Sequence, residues 1–152
     1  MVIALSFLIG LVAGLRAMLA PAAISWAAYL GLISVEGTWL AWLGYWLTPW
    51  LFTFAAAGEL VTDKLSFTPS RKVPPQFITR LISGALCGSA IAVSDPGSAI
   101  GAVAGVLGAF VGTTGGAAVR GALARTFGRD LPAALCEDVV GIALAALVIT
   151  QA

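Results

Sequence analysis

Four long stretches with almost no charge restrict this chain more than any other feature of its sequence. Residues 1–35 carry one charged side chain, Arg16, and residues 37–58, 81–94 and 96–119 carry none. A helix needs roughly 20 apolar residues to cross about 30 Å of hydrocarbon, so the second and fourth stretches are long enough for full spans. A chain that is 60% hydrophobic and 10% charged, with a mean hydropathy of +1.01, is typical of a membrane protein.

Turn sequences divide the chain into predicted helices. The segments "SVEGT", "SDPGS" and "FGRDLP" combine the residue types that end or begin helices. They predict an all-α, polytopic membrane helix bundle with four to five membrane segments, forming a single transmembrane domain over residues 1–152. The predicted helices cover residues 2–29, 38–58, 77–93, 98–119 and 131–149.

The first predicted helix is too long for a simple perpendicular span and contains a charge. Pro21 removes a backbone donor and clashes with the preceding turn, so we expect a kink or break near Arg16. Two geometries follow: a tilted, kinked crossing, or a re-entrant hairpin that lowers Arg16 toward the cytoplasmic half of the membrane. Because no basic segment precedes the apolar run, we expect this helix to be retained rather than cleaved as a signal peptide.

The basic residues are concentrated in two predicted loops. Lysines and arginines follow the second and fourth predicted helices, whereas the opposite loops carry only Glu36 and Asp95. The basic residues of these loops are Lys64, Arg71, Lys72, Arg80, Arg120, Arg125 and Arg129. The positive-inside rule therefore predicts cytoplasmic basic loops in a multi-pass protein of the bacterial inner membrane. We expect anionic lipids to contact Arg71, Lys72, Arg120, Arg125 and Arg129.

Glycines form one stripe along the fourth predicted helix. A stripe without side chains lets another helix backbone approach closely, either within one subunit or in a homo-oligomer. The later "GTTGG" offers a second helix break, and "GLVAGL" at 10–15 resembles "GAVAGV" at 101–106, as in an inverted repeat. The glycines of the stripe are Gly101, Gly105, Gly108, Gly112 and Gly115.

Two acidic pairs lie far apart in the sequence. Glu59 and Asp63 share a helix face if the second predicted helix continues by one turn. Glu137 and Asp138 lie about 10 Å along the fifth predicted helix, at a depth where carboxylates normally have partners and mark a functional site. Alternatively, that helix begins later and both acids lie near the lipid headgroups.

We expect these acids to meet basic and hydroxyl side chains at one cytoplasm-facing polar site. The substrate-binding candidates are Arg16, Lys64, Thr68, Ser70 and Arg71, and the candidates for proton or cation coupling are Glu59, Asp63, Glu137 and Asp138. Arg80 is a further candidate counter-charge, and Pro69, Pro74 and Pro75 would fold the intervening loop over the helix ends. Simple ion pairs are the alternative interpretation. We expect no cofactor, and the sequence does not decide whether the acids bind a metal.

Three segments resemble a known family. "GLRAMLAPA", "GELVTDKLSFTPSR" and "CEDVVGIALAAL" are similar to segments of small bacterial inner-membrane proteins that are described only as a domain of unknown function. The resemblance covers most of the chain. It implies one recurring set of residues but no activity. The implied set is Arg16, Glu59, Asp63, Lys64, Pro69, Arg71, Glu137 and Asp138.

Three functions fit these patterns. The first is a transporter or flippase for an anionic or phosphate-bearing small solute or a lipid headgroup, with membrane lipids as partners and no role for nucleic acid. The second is a divalent-metal-dependent membrane enzyme that acts on a lipid phosphate, which ranks below transport. The third is a non-catalytic membrane assembly subunit. The absence of histidine excludes mechanisms that need an imidazole base or ligand.

Overall fold

The computed structural model describes residues 1–63, 73–93 and 97–152. These residues form six α-helices and one short 3-10 helix, without a strand, so the all-α prediction is confirmed. The elements are α1 (Val2–Leu15), α2 (Leu19–Tyr29), a 3-10 helix (Ala41–Gly44), α3 (Thr48–Thr62), α4 (Pro74–Ile91), α5 (Ser98–Phe127) and α6 (Asp130–Gln151).

The predicted break in the first helix is confirmed. α1 ends at Leu15, Arg16 has extended backbone angles, and α2 begins at Leu19. We call residues 16–18, which join the two helices, the hairpin tip.

The second predicted helix was placed wrongly. The structure has a 3-10 helix over Ala41–Gly44 and starts α3 only at Thr48. Pro49 explains the difference, because its ring would clash with the carbonyl four residues earlier in a continuous helix and fits only in the first turn. α3 then continues past Gly58 to Thr62, which provides the extra turn that the sequence left open.

The proposed break at "GTTGG" is also wrong. Thr113 and Thr114 remain helical, and their hydroxyls donate to the carbonyls of Ala109 and Phe110, each at 2.8 Å. α5 continues to Phe127 and is capped by Gly128, whose φ of +67° suits glycine. Arg120 and Arg125 therefore lie on this helix instead of in a loop.

α1, α4 and α5 pack together through glycines. A Cβ atom on Gly105 would lie 2.0 Å from the Gly84 carbonyl oxygen, and one on Gly108 would lie 2.0 Å from the Phe7 carbonyl oxygen. A Cβ atom on Gly101 would lie 2.5 Å from the Gly88 carbonyl oxygen of α4, and one on Gly112 would lie 2.3 Å from the Leu11 carbonyl oxygen of α1, whereas Gly115 has nothing within 4 Å. Four glycines of the stripe are therefore covered within one chain and leave no room there for a helix of a second copy.

These contacts fix the direction of α1. Gly10 lies against Gly105 and Gly14 lies against Gly112, so α1 runs parallel to α5. The inverted-repeat interpretation of residues 10–15 and 101–106 is therefore wrong.

The direction of α2 shows that the chain reverses at the hairpin tip. α6 returns along α5 after a two-residue connection. Arg16 bonds to Asp138 and Leu19 lies against Gly141, so α2 runs alongside α6 and opposite to α1. Of the two geometries that the sequence left open, the hairpin agrees with this path and the continuous kinked crossing does not.

Among the described residues, two helices are long and apolar enough to cross a membrane. They are Ser98–Phe127 and Asp130–Gln151. α1 is apolar but shorter, at 14 residues.

Candidate functional site

Arg16 lies at the hairpin tip, between the end of α3 and the side of α6. Only 1% of its side chain is exposed. Its Nη1 donates to Asp63 Oδ2 at 2.5 Å, and its Nη2 donates to Asp138 Oδ1. One arginine therefore joins acidic residues that are 75 positions apart in the sequence (138 − 63). The third donor, Nε, is buried and has no hydrogen-bond partner among the described residues.

Arg120, on α5, also contacts Asp63, and in addition it contacts Glu137 and Asp130. Its Nη1 donates to Asp63 Oδ2, the oxygen that Arg16 also contacts, and lies 3.5 Å from Glu137 Oε2. Its Nε and Nη2 donate to the two carboxylate oxygens of Asp130 at 2.9 and 2.5 Å. The Asp130 contact is the paired, fork-like geometry that guanidinium groups favour with carboxylates.

Arg80 satisfies the carbonyls that α1 leaves open at its end. Its Nη1 donates to the carbonyl oxygens of Gly14 at 2.6 Å and Leu15 at 2.7 Å. A cation at this position is also favoured by the negative end of the helix dipole. The Arg80 side chain is buried and comes from α4, so the two helices are joined at this point.

Glu59 satisfies the amides at the start of α2. Its carboxylate accepts from the backbone N–H of Ala17 at 2.9 Å and of Met18 at 2.8 Å. The same carboxylate lies 3.3 Å from Nη2 of Arg80. A carboxylate at a helix N-terminus and a guanidinium at a helix C-terminus thus hold the two ends of the break, each with the sign that the helix dipole favours.

Hydroxyl groups complete the hydrogen bonding of the tip. Ser83 donates to the Ala17 carbonyl at 2.6 Å, and Thr113 donates to the Gly14 carbonyl at 3.2 Å. The irregular backbone at the tip is therefore supported by α3, α4 and α5, which is the condition for such backbone to exist in an apolar environment.

The structure brings together five of the nine predicted site residues. Glu137 and Asp138 are 8% and 7% exposed, and α6 begins at Asp130, so the alternative of a later helix start is wrong. The predicted site residues that meet are Arg16, Glu59, Asp63, Glu137 and Asp138. The other four, Lys64, Thr68, Ser70 and Arg71, lie outside the described residues.

Arg120 is not among the residues predicted for the site, and Arg80 is predicted only as a counter-charge. Arg120 was assigned to a loop because the uncharged run ends at Val119. The signal that would have found it is Gly128, a typical helix-ending residue eight positions later. We call the whole assembly the charge cluster; its members are Arg16, Glu59, Asp63, Arg80, Arg120, Asp130, Glu137 and Asp138.

The charge cluster alternates guanidinium groups with carboxylates. Across the described part of the chain, no group of three or more Asp, Glu, Cys or His side chains is arranged to hold a metal ion. The carboxylates are instead oriented toward Arg16, Arg80 and Arg120. The charge cluster is therefore a network of guanidinium–carboxylate ion pairs.

Two cavities reach the charge cluster. A small one of about 180 Å³ is lined by Ala17 of the tip and by Gln76, Thr79 and Arg80 of α4. The second, of about 300 Å³, is a mainly apolar groove between α1, α5 and α6 whose lining includes Arg120 and Glu137. The cluster can therefore be approached both from the start of α4 and from the apolar surface of α5 and α6.

No protein-family model, curated protein or solved structure matches this chain. The resemblance to the small inner-membrane family stays a prediction, and the function is inferred from the geometry of the charge cluster.

Proposed function

We propose that this protein is a multi-pass transporter of the bacterial inner membrane that moves a small anionic or phosphate-bearing solute, or a lipid headgroup, by coupling it to protons at the hairpin tip. One observation carries the proposal. Arg16 is buried at a break between two helices and is shared by carboxylates from two other helices. Ionisable groups of this kind inside a membrane protein typically belong to substrate or proton pathways.

The membrane assignment rests on surface chemistry as well as helix length. Large apolar side chains on α5 and α6 are exposed, and such a surface is stable in contact with lipid chains. Examples are Val103, Leu107, Phe110, Ile142 and Leu147. In this arrangement the α1–α2 pair is a re-entrant hairpin, α3 to α6 supply the remaining segments, and the positive-inside rule places the charge cluster on the cytoplasmic side.

The contacts of Arg16 support proton coupling. Both of its terminal nitrogens already face carboxylates, Asp63 from α3 and Asp138 from α6, with Glu137 and Arg120 beside them. An incoming anion must therefore replace one carboxylate, and in a low-dielectric site the two negative groups repel each other strongly. Protonation of the displaced carboxylate removes this repulsion, so each anion is accompanied by a proton.

The remaining residues then have defined roles. Once a carboxylate is displaced, the Nε of Arg16 gives the solute a second donor, and the cavity beside Ala17 supplies an approach to the tip. Glu59 and Arg80 hold the two helix ends in place while the partners of Arg16 change. The proposal keeps Lys64, Thr68, Ser70 and Arg71 as further solute contacts, as expected from the sequence.

Proteoliposomes with a pH-sensitive dye inside test the proposal. An inward gradient of phosphate or a small carboxylate should acidify vesicles that contain the wild-type protein. Asp138→Asn should lower proton movement more than anion uptake, because its amide cannot exchange the proton. Arg16→Lys should reduce both, since one ammonium nitrogen replaces the three nitrogens of the planar guanidinium and cannot face two carboxylates in the same geometry.

Arg125→Gln is the matched control, since Arg125 is exposed and outside the charge cluster. This variant should transport like the wild type. Absence of anion-dependent proton movement in folded wild-type protein, across phosphates and carboxylates, would refute transport.

One observation favours the assembly subunit as a second candidate. Both terminal nitrogens of Arg16 have partners within the chain, as expected for ion pairs that only stabilise the fold. That role predicts no flux in the wild type and co-purification of one stoichiometric partner from native membranes. The metal-dependent enzyme has no comparable support, because the carboxylates of the charge cluster pair with guanidinium groups.

A further inference from the structure

An open cavity of about 670 Å³ lies at the opposite end of α2 from the charge cluster. Its walls come from the end of α2, the connecting segment and the start of α3. α2 has 11 residues, so its far end is about 16 Å from the hairpin tip. This cavity is separate from the transport site proposed above, and its ligand is inferred independently of that site.

The cavity combines aromatic rings with one carboxylate. Tyr29, Trp42 and Tyr45 line it and are each about half exposed. Glu36 also lines it, and no hydrogen bond or ion pair joins its carboxylate to any described residue. The sequence places no lysine or arginine between Arg16 and Lys64, so the chain surrounding the cavity carries no basic side chain.

The segment that forms the cavity is held in a defined shape although it is largely non-helical. The Thr38 hydroxyl donates to the Val35 carbonyl at 2.6 Å, and the Thr48 hydroxyl donates to the Trp42 carbonyl at 2.7 Å. Leu43 is fully buried in the hydrophobic core and attaches the segment to it. The cavity therefore has a preformed wall, which limits the entropic cost of binding a small ligand.

We propose that this cavity binds an organic ammonium ion, with the cation over the faces of Trp42 and the two tyrosines and its charge balanced by Glu36. Aromatic faces are negative and attract cations, and alkylated ammonium groups are the cations that aromatic cages recognise best. A bare metal ion needs several oxygen ligands, of which a single carboxylate supplies at most two. An anion would meet the Glu36 carboxylate without a balancing arginine or lysine.

The same chemistry has two sources, a free alkylammonium and the ammonium head of a zwitterionic lipid. Choline serves as the probe for both, and 3,3-dimethyl-1-butanol is its neutral analogue of the same shape. Calorimetric titration of the full chain in an uncharged maltoside detergent should show saturable binding of choline and none of the neutral analogue. Sodium chloride at equal ionic strength controls for salt.

Glu36→Gln is the decisive variant, because Glu36 is exposed and its loss should not affect folding. We expect at least tenfold weaker choline binding in Glu36→Gln and in Trp42→Leu. Trp39→Leu is the matched control, since Trp39 is 65% exposed but does not line the cavity, and it should bind choline like the wild type.

Lipid nanodiscs separate the two sources. Choline that binds in phosphatidylglycerol discs but is excluded in phosphatidylethanolamine discs identifies the lipid head as the occupant, whereas equal binding in both identifies a free amine. Equal affinity for the neutral analogue, unchanged binding in Glu36→Gln, or no choline binding by folded wild type would overturn the proposal. None of these results depends on anion transport at the hairpin tip.

Discussion

The glycine contacts and the charge cluster hold helices together in opposite ways. Along α1, α4 and α5 the backbones touch because side chains are missing, as at Gly105 and Gly84. At the hairpin tip long side chains span the distance between helices, as Arg16 does between Asp63 and Asp138. The first region tolerates no added atom, whereas the second tolerates no lost partner. Substitutions in the two regions should therefore fail for different physical reasons.

The largest loss of folding stability is expected from removing the positive charge of Arg16. Arg16→Met leaves Asp63 and Asp138 without their shared guanidinium, and breaking a buried ion pair costs about 3–5 kcal/mol. Chemical denaturation in detergent should show this loss. Arg125→Met, at an exposed position on the same protein, should change the unfolding free energy by less than about 0.5 kcal/mol. Equal effects in the two variants would contradict the central position of Arg16.

An added methyl group in the glycine region should have the next largest effect. The new Cβ in Gly105→Ala would lie 2.0 Å from the Gly84 carbonyl oxygen, so the helices must separate, at a cost of about 2–3 kcal/mol. Gly115→Ala is the matched control on the same helix, because nothing lies within 4 Å of that position. Because alanine favours a helix more than glycine does, Gly115→Ala should leave the unfolding free energy unchanged or raise it by up to about 1 kcal/mol. Thermal unfolding of both variants checks the difference, and a similar loss in both would show that α5 is not packed as described.

The capping of α2 should have a smaller effect. Glu59→Ala removes the acceptor for the amides of Ala17 and Met18, with an expected loss of about 1–2 kcal/mol. Glu59→Gln keeps a carbonyl acceptor and should lose less. Hydrogen exchange at these two amides is the direct measurement, and unchanged exchange in Glu59→Ala would contradict the capping role.

The smallest difference in stability is expected between alanine variants of two buried serines. Ser83 donates to the Ala17 carbonyl at the tip, so Ser83→Ala should cost about 1 kcal/mol. Ser25 is equally buried, but its hydroxyl has no partner among the described residues. Ser25→Ala should therefore be neutral or slightly stabilising. If Ser25→Ala lowered the melting temperature more than Ser83→Ala, the hydrogen bond from Ser83 to the hairpin tip would be contradicted.

Local sequence patterns determined which segments are helical and where the first helix breaks. Pro21 and the charge of Arg16 act on their own turn of helix, and uncharged runs predict helices without reference to the rest of the chain. The glycine stripe likewise predicted close helix contacts, since the absence of side chains is a local property. The start of α3 was misjudged because the uncharged run continues across Pro49, although the backbone chemistry of proline does not allow a continuous helix there.

Only the tertiary structure decided which helices pack together and which buried charges form ion pairs. The direction of α2 depends on contacts with α6, and the inclusion of Arg120 depends on α5 continuing to Gly128 and returning as α6. Ion-pair partners such as Asp63 and Asp138 are distant in sequence, so no local pattern specifies which arginine they share. Helix formation is governed by neighbouring residues, whereas the pairing of buried charges is governed by how whole helices pack.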